Sequence, residues 1–119
     1  MSAEPAQHGD HDALFPMPPL TEGALRVAVA TIDLAEAVRF EREFHGAWQE
    51  AVQTDSTVPM HTFLHRWGVF VALRRYPARA ARLRQLEEAV ARSTDRAEVQ
   101  RASVAIGALL AEASREVAA

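Results

Sequence analysis

From Leu20 onward the apolar residues recur at intervals of three and four, and no stretch alternates with a period of two. That spacing gathers side chains on one face of an α-helix, so it constrains the chain to an all-α fold. The breaks between periodic segments carry their own signals. Thr21 can cap a helix over 21–30. Asp33 with Glu36 reads as a capping box that opens a helix over 33–53, with Ala37, Phe40, Phe44, Ala47, Trp48 and Ala51 on its apolar face. A polar break, Thr54 to Thr57, precedes a third helix over 58–76. Ser56 or Thr57 can cap it, and Pro59 falls in the first turn, where a missing N–H is tolerated.

Met60, Phe63, Leu64, Trp67, Phe70 and Val71 share one face of this third helix, while Val69, Ala72 and Leu73 spread apolar surface round its second half. A helix apolar nearly all round is central to its fold or covered by a partner. Pro77 ends it, because the residue before a proline is pushed out of the helical region. A fourth helix over 78–92 carries Leu83, Leu86 and Val90, and Ser93-Thr94-Asp95 forms a turn. A fifth over 96–117 shows a heptad-like seam of Val99, Ser103, Ile106, Leu110, Ala113 and Val117. The expected fold is a small bundle of four to five helices, a single domain over 21–119. It follows a segment, 1–20, that holds four of the six prolines and is expected to be extended or disordered.

Composition removes several classes of function. The 119 residues suffice for one domain. A net charge of −3, from 13 basic and 16 acidic residues, lacks the basic excess of a chain built to hold nucleic acid. All the basic residues are arginine, a usage that fits a GC-rich genome. The absence of cysteine excludes a disulfide framework, a thiol nucleophile and a cysteine-ligated zinc site. No run approaches the roughly 20 apolar residues of a membrane span, and the start lacks the basic and apolar regions of a secretory signal. The expected location is therefore the cytoplasm.

Side chains able to carry chemistry are sparse. His61 and His65 lie one turn apart, as metal ligands can, but no third ligand is near them in sequence, and a metal-dependent enzyme would have to recruit His45. His8 and His11, beside Asp10 and Asp12, lie in the proline-rich lead. Glu41 with Glu43, and Glu87 with Glu88, are too close in sequence to face each other on a helix. Glycine-rich phosphate loops are absent. No catalytic, cofactor-binding or metal-binding residue is assigned, and a non-enzymatic role is expected.

Two features suit a partner. Arg74, Arg75, Arg79, Arg82 and Arg84 crowd the Pro77 break. Arg79 sits in the first turn of a helix, where the dipole disfavours a cation, so it needs another reason to be there. Internal pairs with Glu36, Glu41 or Glu43 would be one; contact of Arg74, Arg75, Arg79 and Arg82 with phosphate or an acidic partner would be another. A nucleic-acid-binding autoregulator would use this Arg74–Arg84 cluster. The fifth helix could instead lay Val99, Ile106, Leu110 and Val117 in a partner's groove, or close its own bundle.

Between Arg39 and Arg82 the residue order Phe40-Glu41-Arg42-Glu43-Phe44, Ala47-Trp48-Gln49-Glu50-Ala51, Thr54-Asp55, Met60-His61, Leu64-His65-Arg66-Trp67 and Tyr76-Pro77 resembles a known family. These are small all-helical proteins of high-GC Gram-positive bacteria, known as a domain of unknown function. Pro16 to Pro19 and Ala24-Leu25-Arg26 extend the resemblance to about residues 16–83. It implies an all-helical domain. The family's placement beside toxins of the RelE/ParE ribonuclease-like class implies an antitoxin. Its partners would be a toxin or a second copy in a homodimer, with DNA bound as part of a complex. No catalytic residue carries over.

Overall fold

The computed structural model describes residues 13–118, which form five α-helices and no strand. They are α1 (Glu22–Ile32), α2 (Leu34–Thr54), α3 (Val58–Arg74), α4 (Pro77–Arg92) and α5 (Arg96–Ala118). The expectations for residues 1–12, including His8 and His11, lie outside the described residues. Residues 13–20 contain no helix or strand.

The helix starts follow the local chemistry of the sequence. Thr21 Oγ1 accepts from the Ala24 N–H at 3.2 Å. Asp33 accepts from the Ala35 N–H at 3.0 Å, so one residue ends α1 and caps α2. The capping box is only half the story here, because the Glu36 carboxylate is bonded to Arg39 at 2.8 Å. Asp55 ends α2 in the left-handed region at φ 52°, a conformation that short polar residues reach at lower cost than most. Ser56 Oγ accepts from the Val58 N–H at 3.1 Å. Tyr76 is extended and Pro77 is the first residue of α4, where its fixed φ suits a helix and its missing N–H was unpaired anyway.

The described chain falls into two compact units, residues 17–71 and residues 13–16 with 72–118, and the division lies within α3 between Val71 and Ala72. In the first unit α1 packs on α2, and an aromatic cluster joins α2 to α3. Phe40 meets Phe63 and Trp67 edge-on at 5.0 and 5.2 Å, Phe44 meets Phe63 at 5.6 Å, and Trp67 meets Phe70 at 4.9 Å. Leu25, Val29, Phe40 and Val71 are fully buried, each stabilising the fold by about 1.5–3 kcal/mol relative to an exposed side chain. The polar end of Trp67 is satisfied as well, since Nε1 donates to Glu43 at 3.0 Å. The Arg39 guanidinium lies 4.7 Å from the Trp67 ring and is itself held by Glu36 and Glu43. Burial runs from Trp67 to Leu73 with a single half-buried position, Val69, as the all-round apolar second half of α3 requires.

In the second unit α4 and α5 pack as a hairpin across the turn Ser93–Asp95. Leu83 and Leu86 are buried on α4, and Ala102 and Ala113 on α5.

Two expected faces are corrected. On α2, Trp48 is 54% exposed, whereas Phe40 is buried and Ala37, Phe44, Ala47 and Ala51 are half-buried. On α5 the covered positions include Val99, Ala102, Ile106, Leu109, Ala113 and Val117. Ser103 and Leu110 are exposed, so this face is rotated from the expected seam and uses Ala102 and Leu109 in their place.

Candidate protein-interaction surface

The rotated face of α5 redefines the expected partner anchors. Val99, Ile106 and Val117 are half-buried, and only Leu110, at 42%, stands exposed. The four therefore do not present one free apolar face.

Two of the five clustered arginines, Arg75 and Arg79, form an internal hub with α5. Arg79 Nη1 lies 2.8 Å from Glu116 Oε2 and donates to the Ala72 carbonyl at 2.9 Å, and Nη2 lies 3.8 Å from Glu112 Oε2. Arg75 donates to Glu116 at 3.3 Å and to the Phe15 carbonyl at 3.1 Å, while its own carbonyl accepts from the Leu14 N–H at 2.6 Å. The Tyr76 ring has the Arg75 guanidinium 4.4 Å from its centre and that of Arg79 4.5 Å away.

Arg79 thus offsets its disfavoured place at the start of α4 by pairing with α5 and by meeting a carbonyl near the C-terminal end of α3, where a cation is favoured. Glu36 and Glu43 hold Arg39, and Glu41 holds Arg26. The signal that could have found the true partners is the matched spacing of Arg75 with Arg79 and of Glu112 with Glu116, four residues in each case. Arg74 is half-buried, and Arg82 and Arg84 are exposed.

The histidines do not converge. His45 is exposed on α2, and His61 and His65 on α3. Among the described residues no group of three or more His, Asp or Glu side chains is placed to hold a metal ion. A shallow cleft of about 300 Å³ lies between α2 and the start of α3, with Glu43, Gly46, Glu50, Pro59, Thr62 and Arg66 in its wall. Arg66 stands 4.0 Å from Glu43, and no histidine lines it.

The distinctive surface is the outward face of α2. Leu34, Val38, Glu41, His45, Trp48 and Val52 recur at intervals of four, three, four, three and four, a heptad seam. All six are exposed, and the large apolar members stay uncovered to an unusual degree: Leu34 75%, Val38 65%, Trp48 54% and Val52 63%. Single exposed apolar residues are ordinary on a protein surface, but an aligned strip of them marks a contact site. The inward face of the same helix holds Phe40 and Phe44, so α2 has two apolar faces of which one is packed. Arg26 of α1 hydrogen-bonds Glu41 at 2.9 Å and holds its carboxyl below the usual glutamate range. That fixes a charge midway along the strip. Sequence reading missed the strip because it placed Trp48 on the inner face and left Leu34, Val38 and Val52 without a role.

Comparison with known protein families, with curated proteins and with solved structures finds no match to this chain. Among the described residues no helix is long and apolar enough to cross a membrane.

Proposed function

We propose that this chain is a non-enzymatic protein-interaction module that engages its partner through the outward face of α2. One observation carries the reading: α2 has a second apolar face, aligned at heptad spacing and left to solvent, on a helix already anchored from behind by Phe40. An ordered helix face needs no folding on binding, so its contacts are not offset by backbone ordering entropy. The antitoxin form of this reading draws on the resemblance over residues 16–83 alone.

The test is co-expression with the product of the neighbouring reading frame, followed by co-purification. The wild-type chain is expected to retain that product, and Trp48→Lys to lose it with an unchanged circular dichroism spectrum. Retention unaffected by Trp48→Lys would remove α2 from the binding surface. For the antitoxin form, the wild-type chain is expected to restore growth in cells expressing the neighbouring product.

A further inference from the structure

We infer that the occupant of the α2 face is a second copy of this chain, packed antiparallel about a two-fold axis at the level of Glu43. The inference rests on the reading of α2 as the interaction face and adds the identity of the partner. It comes from the order of residues along the strip. Leu34 and Val52 lie nine residues to either side of Glu43, Val38 and Trp48 lie five, and Glu41 and His45 lie two. A two-fold axis there sets Leu34 against Val52 of the second copy, Val38 against its Trp48, and Glu41 against its His45. Apolar residues meet apolar residues at both ends, and at the centre an acid meets a base twice.

A parallel pairing in the same register would set Glu41 on Glu41 and His45 on His45, placing like groups opposite each other. The strip is thus self-complementary in one orientation, as a two-fold interface demands. An imidazole N–H donor facing a carboxylate acceptor at the centre also fixes register, the use for which polar residues in a helix seam are best attested. Glu41 keeps the capacity for this contact. Its carboxylate receives Arg26, and a carboxylate offers about four acceptor sites. Arg42 and Gln49 flank the strip, and both are exposed, which keeps its margin polar.

The seam from Leu34 to Val52 is about 27 Å long. A pair of such faces falls at the small end of specific interfaces, about 1,200 Å² in total, so dissociation is expected at roughly micromolar concentration.

Analytical ultracentrifugation of the full chain tests this over about 1 to 500 µM, a range that brackets micromolar dissociation. The wild type is expected to pass from monomer to dimer. Trp48→Lys, and separately His45→Glu, which sets a carboxylate against Glu41, are each expected to weaken the dimer at least tenfold with unchanged circular dichroism. A wild type that stays monomeric throughout, or a dimer indifferent to both substitutions, would overturn the inference. Its failure is distinct from failure of the wider reading. A monomer that loses its co-purified partner on Trp48→Lys retains α2 as an interaction face and excludes the second copy. A monomer whose partner binding ignores that change excludes both.

Discussion

Replacing Arg79 with alanine isolates the hub that joins α4 to α5. The Arg79 side chain is 15% exposed, and its guanidinium has three kinds of contact: the ion pair with Glu116 at 2.8 Å, the Ala72 carbonyl at 2.9 Å, and the Tyr76 ring at 4.5 Å. A hydrogen bond involving a charged group contributes about 1.5–3 kcal/mol. Loss of the ion pair would ordinarily strand a carboxylate, but Glu116 is 26% exposed and still has Arg75 at 3.3 Å. Water and the second arginine absorb part of the penalty, which keeps the loss below the 3–5 kcal/mol typical of breaking a fully buried pair. The expected cost of Arg79→Ala is about 2 kcal/mol, or roughly 8 °C in melting temperature for a chain of this size. Urea denaturation followed by far-UV circular dichroism measures it. Arg82→Ala, at an exposed site, is the control and should stay within about 0.5 kcal/mol. A double-mutant cycle with Glu116→Gln should give a coupling of about 1 kcal/mol. If Arg79→Ala costs no more than Arg82→Ala, or if the cycle is additive, the hub does not stabilise the fold as reasoned.

Three further outcomes follow from the packing and charge. Phe40→Ala, at a fully buried position in the aromatic cluster, should cost about 3–5 kcal/mol in urea denaturation. The rotated face of α5 predicts that Leu109→Ala, at a half-buried site, costs about 2 kcal/mol and exposed Leu110→Ala clearly less; the reverse order would restore the seam expected from heptad spacing. Arg26 depresses the Glu41 carboxyl through its hydrogen bond. The stability this contributes is therefore present above the ordinary glutamate range and is lost as pH falls through the lowered folded value. An NMR titration of Glu41 should show a depressed midpoint in the wild type that returns to the ordinary range in Arg26→Ala, and an ordinary midpoint in both would exclude the contact.

The elements of this fold were legible because their boundaries are set by short-range chemistry. Thr21, Asp33 and Ser56 each cap within three residues, and Pro77 needs only its own ring. The faces were less legible. On α5, alanines occur all round the helix and Leu109 adjoins Leu110, so spacing alone admits two neighbouring seams. Contact with α4 and the pairing of Glu112 and Glu116 with Arg79 select one of them. On α2, Trp48 follows Phe44 by four residues and so appeared to continue the inner face. The inner face at that level is filled by small residues, Ala47 and Ala51, and the indole stands outward. The arginine cluster was legible as a charge density, and internal pairing, one of its two readings, is what Arg75 and Arg79 adopt. A charge run read from sequence shows its density but not the acids that a distant helix brings to it.

The claim that α2 presents an interaction face, with a second copy on it, is tested most directly by thiol cross-linking. The chain has no cysteine, so each introduced thiol reports alone. A disulfide needs Cα atoms about 4.4–6.8 Å apart, which only directly opposed positions satisfy. The doubly substituted chain, Leu34→Cys with Val52→Cys, which keeps Trp48 and Val38 in the seam, is expected to form a covalent dimer on mild oxidation, while either single substitution remains uncoupled. Efficient coupling of both single variants would indicate a parallel pairing, and coupling of none, the double included, would contradict the dimer on α2.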